Sequence, residues 1–283
     1  METQTVTVGG LNFAYRWDGP VGAPVVMMAH AMGTSLRIWD RQVAALADRY
    51  RLLRYDWRGH GGSAAPPGPY SLEQFEDDAV GVMTALDLPR VHWIGISTGG
   101  MIGQGLAINH PSRIASLCLC NTTSQANQGY RDWVAERQAV VRQSGMAPVW
   151  EMTKRIWFTD PFVDAGGPDY RLIQEVFEAT PLEGYLGGTS AVAELAYRDR
   201  LQKVQCPTAI IAAGDDPVTP VDHAEALRDR IAGARLDVFA GQRHFSNVEL
   251  PGPVKPCITY RILCTPCGPA GRRRCWPCGC CGS

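Results

Sequence analysis

The chain has 283 residues, of which 45% are apolar and 19% charged, with a formal net charge of −1. That is the make-up of a globular chain able to bury a core of its own, and it excludes disordered and fibrous classes. No run approaches the roughly 18 apolar residues of a membrane helix. The opening METQTVTVGGLNFAYRW has no basic stretch leading into an apolar one, so no secretory signal is expected and the cytoplasm is the default location.

Charge and cysteine are both skewed towards the end. From Pro251 onward there are five basic residues (Lys255, Arg261, Arg272, Arg273, Arg274) and no acidic ones, which leaves 22 basic against 28 acidic residues in the body. That body has no basic face for nucleic acid, and no segment calls for a membrane. Seven of the ten cysteines lie at or after Cys257, while Cys118, Cys120 and Cys206 read as buried thiols in or beside strands. Nothing in the composition selects an oligomeric state.

Taken in chain order, residues 4–8 and 11–17 alternate around Gly9-Gly10 and predict a β-hairpin. The apolar run PVVMMAH (24–30) predicts a buried strand, LRIWDRQVAALADRY (36–50) a helix, and RLLRYD (51–56) another strand. Ser71 with Gln74 forms a capping box that opens a helix to about Asp87. VHWIGI (91–96) reads as a strand, residues 98–110 as a helix, and IASLCLC (114–120) as a strand. Residues 122–189 then break the rhythm with helical patches rich in Trp, Arg and Gln and no strand-like run. PTAIIAAG (207–214), a helix near 221–231 and ARLDVFA (234–240) restore it. Alternating strands and helices predict a largely parallel sheet covered on both faces, with the helical stretch inserted over one end.

The chemistry centres on Gly95-Ile96-Ser97-Thr98-Gly99. A sharp strand-to-helix turn needs flanking residues without Cβ, and it forces the serine into an unfavourable backbone region with Oγ projecting above the sheet. Serine attacks only when a base takes its proton. His92 opens the strand that leads to Ser97 and so belongs at the opposite end; His110 precedes Pro111 at a helix end, and His223 lies within a helix. His244, in GQRHFSN, lies on the loop after the last strand, at the edge where Ser97 projects. The orienting acid should follow a strand between the two, where GDDPVTP offers Asp215 and Asp216. Backbone N–H groups for an oxyanion would come from Thr98, at a helix N-terminus, and from Met32, on the loop after PVVMMAH. In DWRGHGGS (56–63), Arg58 and His60 read as structural support for a tight loop.

The stretches HAMGTSLRIWDRQVAAL, YDWRGHGGSAAPPGPYSLEQFEDD, GISTGGMIGQGLA, RIWFTDPF, RDRLQKVQCPT, GDDPVTP and HFSNVELP, spanning roughly residues 10 to 252, resemble the α/β-hydrolase superfamily. Within it the chain is most similar to 3-oxoadipate enol-lactonases and related carboxylesterases. The resemblance implies an α/β-hydrolase fold: a mostly parallel central sheet flanked by helices, with a helical cap. In the pattern D-P-x-T-P it selects Asp216 as the triad acid, and it places the base at His244 and the nucleophile at Ser97. The implied division is 1–121 and 190–252 for the core, 122–189 for the cap, and 253–283 for an atypical tail.

In the cap, Trp133, Trp150 and Trp157 are candidates for the pocket wall, with Phe158 as packing. Among Arg131, Arg137, Arg142, Lys154 and Arg155, one cation could anchor a substrate carboxylate, and the sequence does not choose it. GYLGGTS stands where the enol-lactonase cap is expected to carry a Cys-Cys pair after Gly-Tyr. The expected activity is hydrolysis of a small-molecule ester or lactone, without cofactor or metal. A general carboxylesterase or another lactonase is the near alternative, and a non-catalytic receptor on a hydrolase scaffold the distant one.

The tail, CITYRILCTPCGPAGRRRCWPCGCCGS, lacks helical periodicity. Its composition is what a GC-rich reading frame yields out of register. Cys264-x-x-Cys267 and Cys275-x-x-Cys278 have zinc-like spacing, but the seven residues between them are short for a zinc ribbon.

Overall fold

A computed structural model describes residues 2–250. The strands β1 (Gln4–Val8), β2 (Leu11–Asp18), β3 (Val25–Ala29), β4 (Arg51–Tyr55), β5 (Val91–Ile96), β6 (Ile114–Cys120), β7 (Thr208–Ala213) and β8 (Arg235–Phe239) form one sheet in the order β1-β2-β4-β3-β5-β6-β7-β8. The β1/β2 and β2/β4 pairs are antiparallel; every pair from β4 to β8 is parallel. Parallel neighbours require crossovers, and these carry helices α1 (Asp40–Leu46), α2 (Leu72–Ala85) and α3 (Thr98–Asn109). Between β6 and β7 the chain makes five helices: α4 (Gln128–Ser144), α5 (Met146–Trp157), α6 (Asp160–Ala165), α7 (Pro168–Glu178) and α8 (Leu182–Ala193). The helices α9 (Val221–Arg230) and α10 (Ser246–Glu249) follow β7 and β8.

The central strands are predominantly apolar because both faces are covered. Along them the side chains alternate: Val26, Met28, Leu52, Ile94 and Cys118 enter one core, and Met27, Leu53, Trp93, Leu117 and Ile210 enter the other. Residues of α2, α3 and α9 fill the second core; α1 and α10 close the first. The sheet reverses its strand order around β3, and its carboxyl ends are where an open α/β sheet builds ligand sites.

The predicted capping box is present, with Gln74 N donating to Ser71 Oγ (3.2 Å) and Ser71 N to Gln74 Oε1 (3.0 Å). The single helix expected over 36–50 is instead a 3-10 turn, Leu36–Trp39, followed by the shorter α1. Asp56 Oδ1 fixes the start by accepting Leu36 N at 2.6 Å. At the other end Arg49 N and Tyr50 N both turn back onto Leu46 O (3.1 and 3.0 Å), which frees the chain to reverse into β4. The helical periodicity outlasts the helix because Tyr50 still packs on the core. Helix α8 runs four residues past the expected limit of the helical insertion at 189.

The tail motifs, Cys264-x-x-Cys267 and Cys275-x-x-Cys278, lie outside the described residues. Among those described, no helix is long and apolar enough to cross a membrane.

Candidate active site

At the carboxyl end of β5 the backbone turns into α3 at Ser97, which holds φ 52° and ψ −115°. An L-residue seldom adopts that conformation, so its surroundings must enforce it. Four hydrogen bonds do. Ser97 N donates to Cys120 O (2.9 Å), and Ser97 O accepts from Thr122 Oγ1 (2.7 Å), Gly100 N (2.9 Å) and Met101 N (3.1 Å). The flanking glycines are steric necessities: a Cβ on Gly95 would lie 2.1 Å from Gly99 O, and one on Gly99 would lie 2.3 Å from Ala29 O. Both obstacles are backbone and cannot move aside.

Asp216 follows β7 and is buried, whereas its neighbour Asp215 is exposed. Its Oδ1 accepts Val218 N (2.8 Å) and Thr219 N (3.2 Å), and its Oδ2 accepts Thr219 Oγ1 (2.6 Å) and meets His244 Nδ1 at 2.7 Å. Burial alone would raise this carboxyl. The interaction with the His244 ring and the converging donors outweigh it and hold Asp216 below the usual carboxylate range. An ionised Asp216 only accepts, so the proton between them sits on His244 Nδ1 and leaves Nε2 as the basic nitrogen.

His244 lies on the loop after β8, 1% exposed. The ends of β6 and α5 hold that loop. Asn121, at the end of β6, donates from Nδ2 to His244 O and to Ser246 Oγ (3.3 Å). Phe245 N donates to Trp157 O at 3.0 Å, and the two rings pack with centroids 4.4 Å apart. Arg243 Nη1 donates to Phe158 O at 3.0 Å. Asn121 and Thr122 thus bracket the site, one gripping the histidine loop and the other the serine turn. The sequence reading missed both; the only hint was an Asn, a residue tolerant of φ 42°, directly after a strand.

The loop after β3 carries Met32. Its amide has no acceptor among the described residues. Next to it, Gly33 N donates to His60 Nε2 at 2.9 Å. His30 backs the same loop: its Nδ1 meets Ala31 O at 2.8 Å and its Nε2 accepts Trp57 N at 3.3 Å. Burial lowers the His30 pKa to about 3 and drives that of His60 well below the ordinary value, so both stay neutral and keep accepting N–H groups. Arg58 is pinned by two 2.7 Å hydrogen bonds to Asp78. Thr98 is the first residue of α3, so its N–H has no partner within the helix.

One cavity gathers these groups. Met32, Ser97, Thr98 and His244 form its sheet side; Tyr130, Trp133, Thr153, Trp157, Tyr185 and Thr189 form its cap side. Its free volume is about 20 Å³. A larger cavity of about 190 Å³, between the start of α2 and the end of α8, contains none of the expected site residues. Trp133 and Trp157 line the cavity. The expectation for Trp150 is corrected by its position: it is fully buried behind the wall, packed on Trp157, Phe158, Tyr170 and Phe177. His92, at the far end of β5, meets Ser116 Oγ at 2.8 Å.

A parallel sheet, a strained serine between strand and helix, and an Asp–His pair at the same edge define an α/β-hydrolase. Residues 24–251 match the family model described as the alpha/beta hydrolase fold, and the chain belongs to that family. It is 32% identical over 247 residues to 3-oxoadipate enol-lactonase 2 of Acinetobacter baylyi, covering 87% of this chain and 91% of that protein. It is 28% identical over 253 residues to a putative carbamate hydrolase of Caulobacter segnis, covering 87% and 94%. The structure resembles that of an enol-lactonase from Burkholderia xenovorans, with a TM-score of 0.87 and 32% identity over 90% of this chain and 98% of that one. It is equally similar to a hydrolase from Pseudomonas aeruginosa, with a TM-score of 0.87 and 35% identity over 91% and 97%.

Proposed function

We propose that this hydrolase cleaves a small carboxylic ester or lactone through a Ser97–His244–Asp216 triad, and that its substrate is of the 3-oxoadipate enol-lactone kind. The observation that carries the reading is the 2.7 Å contact between His244 Nδ1 and Asp216 Oδ2, with the opposite ring nitrogen left for the cavity that Ser97 lines. Similarity to enol-lactonases at 32% identity supports the choice of substrate.

In this mechanism His244 Nε2 takes the Ser97 hydroxyl proton as Oγ attacks the carbonyl carbon. The carbonyl oxygen becomes an oxyanion held by the Met32 and Thr98 N–H groups, aided by the N-terminal dipole of α3. When the tetrahedral intermediate collapses, the C–O bond breaks and the imidazolium proton passes to the departing alkoxide. In a lactone that alcohol stays tethered to the acyl group. Water, deprotonated by the same Nε2, then attacks the acyl-enzyme and releases the acid. Asp216 fixes the ring orientation and its charged form throughout. A free volume of about 20 Å³ holds one water, so an organic substrate enters only as the cap side chains part.

Hydrolysis of 3-oxoadipate enol-lactone and of p-nitrophenyl pentanoate by the wild type and by Ser97→Ala tests the reading. Turnover lost by a factor of about 10⁴ or more in the folded variant is the expected result. Equal rates for the two proteins would overturn it.

A further inference from the structure

Of the cap cations, five have ordinary explanations, Arg171 among them through its hydrogen bond to Gly166 O. Arg142 is exposed, Lys154 pairs with Glu151, Arg155 pairs with Asp164 at 2.7 Å, and Arg131 donates to Ala193 O at 3.2 Å. Arg137 differs. It is 3% exposed, and its Nε has no hydrogen-bond partner among the described residues. Its Nη1 reaches only Trp133 O, at 3.4 Å, and the exposed Glu136 carboxylate, at 3.6 Å. A guanidinium stays charged, and burying it with so little compensation is costly.

Its aromatic neighbours line the cavity. The guanidinium lies 3.7 Å from the centroid of Trp133, and burial lowers its pKa against the opposing influence of Tyr185, Glu136 and Tyr130. Trp133, Tyr130 and Tyr185 line the cavity, and Tyr130 stacks on Trp133 with centroids 5.7 Å apart. On the adjoining helix α5, Thr153 also lines the cavity; it is 1% exposed and its Oγ1 has no partner among the described residues. One wall of the pocket therefore carries an unmatched hydroxyl, Thr153 Oγ1, and has an under-compensated positive charge stacked on the Trp133 ring behind it, as a site built for an acceptor-rich anion would.

Building on the hydrolase reading above, we propose that the cap side of the cavity is an anion subsite in which Arg137, with Thr153 Oγ1 and the phenols of Tyr130 and Tyr185, receives a carboxylate carried by the acyl part of the substrate. The scissile carbonyl lies at the sheet side between Ser97 and the Met32 amide, and the carboxylate points away from it towards α4 and α5. Arg137 does not itself line the cavity but stacks on the ring of Trp133, which does, so the subsite requires Trp133 to shift and open the guanidinium to the pocket. The preferred substrates are short esters or lactones with a terminal carboxylate.

The test compares p-nitrophenyl pentanoate with mono-p-nitrophenyl glutarate, which differ by a terminal methyl against a carboxylate, using wild type, Arg137→Met, Arg137→Lys and Thr153→Val. The wild type prefers the glutarate ester, and in Arg137→Met the glutarate-to-pentanoate ratio of kcat/KM falls on the order of 10- to 100-fold, the range for a hydrogen bond to a charged group. Arg137→Lys restores part of the ratio, and Thr153→Val lowers it several-fold. Arg137→Met keeps or raises the melting temperature, since it removes a poorly compensated buried charge. A parallel fall for both esters, or an unchanged ratio, would overturn the assignment. Glutarate titrated into Ser97→Ala, followed by tryptophan fluorescence, gives an independent readout: binding that saturates and is lost on adding Arg137→Met supports the subsite even if neither ester is cleaved. Cleavage without charge preference and without glutarate binding removes the subsite and leaves the hydrolase reading standing.

Discussion

The backbone of Ser97 permits a test that needs no substrate. At φ 52° and ψ −115° any residue with a Cβ is strained, at a cost of about 1–3 kcal/mol. Ser97→Ala keeps the Cβ and the strain, whereas Ser97→Gly relieves it. Glycine gives back about 0.5–1 kcal/mol through the greater freedom of the unfolded chain. The net advantage of glycine over alanine is therefore about 0–2.5 kcal/mol. At about 2–4 °C per kcal/mol for a domain of this size, Ser97→Gly melts up to about 10 °C above Ser97→Ala. Calorimetry on the two variants measures this, and their shared loss of the hydroxyl removes polar effects from the comparison. Ser97→Gly melting below Ser97→Ala would refute the claim that the turn is strained and held by its four hydrogen bonds.

Other expectations follow from the groups around the triad. Asn121→Ala frees the His244 carbonyl and loosens the imidazole, so kcat falls about 10- to 100-fold with KM little changed, and steady-state kinetics on p-nitrophenyl pentanoate will read the split; an unaltered kcat would contradict the bracket. Asp216→Asn retains the shape but stabilises the wrong tautomer of His244, so kcat drops by about 10⁴, and a loss under tenfold would remove Asp216 from its role. Burial raises the Asp56 pKa from 3.8 to about 6 despite the N–H groups of Gly62 and Leu36 and the nearby arginines. The folded chain thus holds one more proton than the unfolded chain between about pH 4 and 6, and this site's contribution to stability declines as pH rises through that window. Melting temperatures measured from pH 4 to 7 should show Asp56→Asn gaining on the wild type up to about pH 6 and then levelling; a flat difference would reject the assignment.

Most of the sheet was legible because buried parallel strands and amphipathic helices write different periods into the chain. Both glycines of the elbow were legible for the same reason they are required, since no other residue fits beneath a turn that tight. Three things were not. Helix α1 stops early because of hydrogen bonds from Arg49 and Tyr50 back to Leu46, which leave no trace in hydrophobic spacing. Trp150 and Trp133 are the same residue type on neighbouring cap helices, and only packing separates the one inside the aromatic cluster from the one on the pocket wall. Arg137 could not be told from Arg142, one turn and a residue further on, because burial against α8 depends on how the cap helices pair.

The central claim is that Ser97 is the nucleophile activated by His244, and covalent labelling tests it most directly. A fluorophosphonate loses fluoride to an activated serine and leaves a stable phosphonyl ester, visible as one added mass and mappable to a peptide. The account predicts a single adduct on Ser97, none in Ser97→Ala, and labelling slowed by at least about 10³-fold in His244→Gln. An adduct on any other residue, or undiminished labelling of either variant, would contradict it.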